Sequence, residues 1–108
     1  MEEVSWSEER RLLFDEKLRD VTGLTNVYYD PPESIFIEYP AIVYKKTRMP
    51  VRYANNKKYI KHLAFEVQVI CEDADSVYVD LVHEMEYSAF ERHFIADDLH
   101  HDVFTIIF

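Results

Sequence analysis

From Tyr59 to Cys71 the chain alternates. Tyr59, Leu63, Phe65, Val67, Val69 and Cys71 share one parity, His62, Glu66 and Gln68 occupy the other, and Lys61 breaks the apolar set near its start. Side chains in a strand point to opposite faces with a period of two, so this stretch predicts a strand with one face buried and the other at least partly wet. It is expected to be the central antiparallel strand of a sheet. Everything else in the sequence has to supply its neighbours and its cover.

The cover is legible as two amphipathic segments. Ser7 to Val21 reads as a helix: Ser5 with Glu8 fits a capping box, Ser7 is an alternative N-cap, and Phe14, Leu18 and Val21 recur on one face together with Leu13. Gly23 is the only glycine in the chain and stands where a left-handed residue would end that helix. After Glu72-Asp73-Ala74-Asp75-Ser76, which reads as a turn and N-cap, Val77, Tyr78, Leu81, Val82 and Met85 trace the stripe of a second helix over Val77 to Glu86.

The neighbours are short strands. Asn26 to Tyr29 is an apolar run closed by Asp30-Pro31-Pro32, which suits an edge strand. Ile35 to Tyr44 is rich in strand formers but holds Pro40, so a broken strand is expected there. Ser88 to Ile95 and Asp102 to Phe108 read as a terminal hairpin whose loop is Ala96-Asp97-Asp98-Leu99-His100. With no repeat or linker in between, residues 1–108 form one α+β domain: a mainly antiparallel sheet of about five strands, two helices packed on one face, and the order α-β-β-β-α-β-β. The run Val103-Phe104-Thr105-Ile106-Ile107-Phe108 is apolar on both parities, so that strand is either internal or covered by another subunit.

Charge is distributed unevenly. The chain holds 12 Lys plus Arg against 21 Asp plus Glu, a net −9, yet residues 45–61 carry seven cations and no acid, which leaves −16 on the rest. Lys45, Lys46, Arg48, Arg52, Lys57, Lys58 and Lys61 are interspersed with Met49-Pro50 and Ala54-Asn55-Asn56, so the stretch is expected to be a long basic loop between strands 2 and 3. Its functional reading is an arm that docks on an acidic partner through Lys45, Lys46, Arg48, Arg52, Tyr53, Lys57 and Lys58; its bland reading is a solvated loop. Tyr53 and Tyr59 are capable of stacking on bases, but the strongly acidic remainder repels phosphate.

Several chemistries are excluded or unsupported. One glycine is too few for a phosphate-binding loop, a dinucleotide fingerprint or a nucleophile elbow. Cys71 stands alone, on the apolar parity of the central strand, where a buried inert thiol is expected. His62, His83, His93, His100 and His101 show no helical metal pair, and adjacent His100 and His101 would point to opposite faces of a strand. Asp73 with Asp75, and Asp97 with Asp98, stand where turns and caps want Asp. No cofactor, metal or catalytic set is expected. The start lacks the basic and apolar regions of a signal peptide and no stretch is apolar enough to span a membrane, so a soluble, unexported protein is expected.

Five segments together resemble a known family: Asn26-Val27-Tyr28-Tyr29-Asp30-Pro31-Pro32, Tyr39-Pro40-Ala41-Ile42-Val43-Tyr44, residues Arg52 to Tyr59, Cys71-Glu72-Asp73-Ala74-Asp75-Ser76, and residues His93 to His101. In this order, from about Thr22 to Phe108, they resemble the tail terminator or tail completion proteins of long-tailed bacteriophages. The chain departs from the family pattern at Asn55 and Asp98, where the family has Asp and Asn. The resemblance implies a non-enzymatic α+β subunit of the virion, assembled in the bacterial cytoplasm. It implies a hexameric ring that caps the head-proximal end of the tail tube, stops its polymerisation and meets the head connector at the neck.

Under that reading the partners are further copies of the chain, the major tail tube protein and the connector or stopper, with DNA passing through the lumen unbound. Carboxylates lining such a bore would repel the genome, and Glu72, Asp73, Asp75, Asp97 and Asp98 are the candidates. Two alternatives remain open. One is a head-to-tail connector or stopper of the neck; the other is a small metal-dependent hydrolase using the histidines and Asp pairs.

Overall fold

Helix α1 runs over Trp6–Thr22, and both of its ends are closed as the sequence predicts. The Ser5 hydroxyl accepts the Glu8 amide at 3.1 Å, and Gly23, at φ 75°, donates its amide to the Arg19 carbonyl at 2.8 Å. Phe14 and Leu18 are fully buried on its inner face, whereas Leu13 is 52% exposed. Leu13 precedes Phe14 by one residue, about 100° around the helix, which carries it off the stripe. Arginines flank the stripe instead: Arg10 lies over the Phe108 ring at 4.4 Å and Arg11 over the Tyr29 ring at 4.5 Å. The structure, a computed structural model, describes residues 5–47, 51–55 and 58–108, and the side chains of all of these except 51–61.

After α1 the chain forms β1 (Val27–Tyr29), β2 (Ala41–Lys46), β3 (Val51–Asn55), β4 (Lys58–His62), β5 (Ala64–Cys71), α2 (Val77–His83), β6 (Ser88–Ala96) and β7 (Leu99–Ile107). Five strands make one sheet in the order β1-β2-β5-β7-β6, with β1 parallel to β2 and the other pairs antiparallel. The fold is therefore α+β with a mostly antiparallel sheet. β5 is its middle strand, as the alternation requires, and β1 is an edge.

Both helices cover one face. Phe14 and Leu18 of α1 and Val82 of α2 join Ile42, Tyr44, Phe65, Val67, Val69, Phe104 and Ile106 in a single buried cluster. Phe14 stacks on Phe65 at 4.2 Å and meets Tyr44 edge-on at 5.6 Å. A buried aromatic of this kind contributes both its large apolar area and the ring geometry. The buried Tyr44 hydroxyl donates to the Asp15 carboxylate, and its pKa is raised, first by burial and then by Asp15.

Several boundaries differ from the sequence expectation. The stretch over 35–40 is not a strand; Phe36 is 82% exposed and β2 starts at Ala41, immediately after Pro40, which has no amide to give a ladder. Helix α2 ends at His83 rather than Glu86, and its N-cap is Ser76, whose hydroxyl accepts the Tyr78 amide at 3.2 Å. The β6–β7 connection is the two residues Asp97-Asp98, with φ of 52° and 62°, not a five-residue loop. Two consecutive left-handed residues give the turn whose twist matches a hairpin, and Asp tolerates that conformation better than most side chains.

The final strand is internal. β7 lies between β5 and β6, and Val103 and Phe104, on its opposite faces, are both fully buried within the chain. Its apolar second face thus gives no reason in itself to expect a covering subunit. The basic stretch differs as well: β3 and β4 pair as a two-stranded sheet of their own, so the expected long loop contains an antiparallel ribbon inserted between β2 and β5. The long run Tyr59 to Cys71 divides at Leu63, which exchanges backbone hydrogen bonds of 2.8 Å with Phe108, so the chain changes partner there from β3 to β7.

Candidate functional site

The sheet has two chemically opposite ends. At one, Lys46 pairs with Phe65 and the Thr47 amide and hydroxyl both donate to the Ala64 carbonyl, at 2.8 and 3.0 Å. The ribbon starts just beyond this point. Its register sets Arg52 opposite Lys61 and Asn55 opposite Lys58, which concentrates cations on two short paired strands. Of the seven residues proposed for docking, Arg48 and Lys57 lie outside the described residues, and Arg52, Tyr53 and Lys58 are placed by backbone alone. Lys46 is exposed. Lys45 has an intrachain partner: its Nζ lies 3.4 Å from Glu66 Oε2, while Arg92 Nη2 lies 3.7 Å from Glu66 Oε1 on the same carboxylate. Such exposed pairs contribute little and leave Lys45 available to a competing acid.

At the other end the candidate carboxylates converge. Cys71, the last residue of β5, pairs with His100, and Ala96 pairs with Leu99 around the Asp97-Asp98 turn, so the β5 exit and the β6–β7 turn lie side by side. Glu72, Asp73 and Asp75 leave β5 there, and all five acids are exposed. The eight residues of β5 separate this end from the ribbon end by about 23 Å at roughly 3.3 Å per residue. Local needs explain some of the acids as well: Asp97 and Asp98 make the turn, and the Asp73–Asp75 stretch leads into the α2 cap.

The same end holds a side-chain group that sequence reasoning missed. His93 Nδ1 lies 2.8 Å from Asp102 Oδ1, and His93 Nε2 lies 3.2 Å from His100 Nδ1. Asp102 is 8% exposed. A two-residue turn sets His93 directly opposite Asp102 and two pairs along from the Ile95–His100 pair, hence on the same face as His100, whereas the expected five-residue loop hides this register. The signal was the Asp-Asp dipeptide between two strand-forming runs.

The remaining candidates are structural. His101 stacks on Phe94 at 4.6 Å and faces Gln68 Oε1 at 3.4 Å; burial lowers its pKa. His83 leans on Phe104 at 6.0 Å. Cys71 is 4% exposed, its thiol donates to Ser76 Oγ at 3.2 Å, and burial pushes its pKa up, the opposite of an activated thiolate. Among the described residues no three His, Cys, Asp or Glu side chains assemble as a metal-ligand set, and no helix is long and apolar enough to cross a membrane. Compared with protein-family models and with curated proteins, the sequence matches none.

Proposed function

We propose that the chain is a structural subunit of a long-tailed phage virion, a tail terminator that closes as a ring on the head-proximal end of the tail tube and performs no covalent chemistry. One observation carries the reading beyond the sequence resemblance: the main sheet leads into a separate cationic ribbon at one end and carries five exposed carboxylates at the other. A subunit with unlike ends suits heterologous, head-to-tail contacts, which generate a ring when the rotation closes. Opposite charges then supply orientation and association rate, while apolar contacts supply affinity.

In that ring the ribbon reaches an acidic surface, on the next copy or on the tube ring beneath. Six copies at −9 each carry a formal −54, and carboxylates of the acidic end placed along the bore keep DNA from adhering during passage. The test is the mass of the purified protein by light scattering and its appearance in negative stain, alone and with purified tail tubes. Capped tubes and hexameric rings support the reading. Monomers alone, even with tubes present, would sink it, and attachment to connector-bearing heads but not to tubes would move the protein to the connector or stopper position.

A further inference from the structure

We infer that His93 and His100 form a binding site for a divalent transition-metal ion of the zinc type, with Asp102 as the positioning residue behind it. The site lies within one chain, between β6 and β7, and does not depend on the ring reading. It starts from the turn: Asp97-Asp98 fixes the hairpin register, and the register puts His93, His100 and Asp102 on one side of the two strands. A carboxylate oxygen accepts, so the proton on His93 sits on Nδ1, where it is held by Asp102 at 2.8 Å. That leaves His93 Nε2 as a lone pair, which accepts from the Nδ1–H of His100 at 3.2 Å; an ion that takes both nitrogens displaces that proton, and His100 then carries its proton on Nε2.

Two features of this arrangement fit a metal. The first is the bite: two imidazole nitrogens bound at about 2.0–2.1 Å to one tetrahedral zinc lie about 3.3 Å apart, and these two lie 3.2 Å apart with their rings inclined at 35°. The second is the outer shell. Metal-bound histidines characteristically give their other ring N–H to a carboxylate, which fixes tautomer and ring orientation, and Asp102 does this from a nearly buried position. Asp102 itself faces the far nitrogen of His93, so it is not a third ligand. With no further His, Cys, Asp or Glu joining the pair among the described residues, water completes the coordination. The His93 side chain is 37% exposed, which leaves the ion an open approach.

Titration of the full chain with zinc chloride, read by calorimetry and by the imidazole proton resonances, tests the site. The expected result is one ion per chain, with the His93 and His100 resonances shifting and those of His83 unmoved. His100→Gln should weaken binding more than about tenfold. Asp102→Asn should weaken it by about 10–100-fold, the usual effect of removing an outer-shell partner, and His101→Gln should leave it unchanged. Thermal melts in a chelator establish that each variant is folded. Because zinc bound only to the native state stabilises it, the melting temperature should rise with zinc in the original chain and not in His100→Gln. Absence of zinc uptake, or a His100→Gln titration that superimposes on the original, would overturn the site and leave His93 and His100 as a hydrogen-bonded pair.

Discussion

The two ends of the sheet differ in how they are held as well as in charge. At the acidic end the carboxylates flank local features of the fold: two left-handed Asp residues in the turn, a capped helix start, and a buried thiol hydrogen-bonded to the cap residue. At the cationic end the charges continue beyond the main sheet onto a ribbon that pairs only with itself. A fixed surface and an extended arm are complementary devices. The first sets a shape and a field, and the second can reach a partner without disturbing the core that sets them.

Four predictions would break or sharpen that contrast. The largest effect should come from what both ends share. Phe14→Ala removes a fully buried ring stacked on the central strand and should cost about 3–5 kcal/mol, read by urea unfolding. Next is the turn: Asp98→Val forces a β-branched residue into φ 62° and should cost about 1–2 kcal/mol, whereas Asp98→Gly should be nearly neutral. Equal melting temperatures for the two would mean that the turn does not fix the acidic end. Ser76→Ala removes the α2 cap and the Cys71 thiol's acceptor and should cost about 1 kcal/mol, with faster reaction of Cys71 toward a thiol reagent.

The smallest effect concerns pH. Burial holds His101 below its ordinary value of 6.5, so as pH falls the unfolded chain takes up this proton first. His101 therefore leaves stability unaffected above that value and lowers it as pH drops through the window beneath. His101→Gln should flatten that part of the pH profile of the melting temperature.

Much of the covered face was legible because burial there is a matter of periodicity. Phe14 and Leu18, and the alternation from Phe65 to Cys71, point inward for reasons that act within a few residues. The errors came where partner choice decides. Leu63 ends one pairing and begins another because of Phe108, which is 45 residues away in sequence. The ribbon looks like a loop in sequence because Pro50 and Asn55-Asn56 are turn residues, although Val51 to Asn55 and Lys58 to His62 pair. The clustering of Glu72, Asp73 and Asp75 with Asp97 and Asp98, and of His93 with His100, required the hairpin register, and that rested on reading two residues rather than five as the turn.

The most direct test of the proposed role is the capping of purified tail tubes by the chain carrying Arg52→Glu and Lys58→Glu, compared with the original chain across a salt series. An unchanged melting temperature, with capping lost in the variant and weakened by salt in the original, is the expected result. If the charge-reversed chain caps tubes as efficiently as the original at every salt concentration, the cationic ribbon grips nothing and the account of how this subunit assembles is wrong.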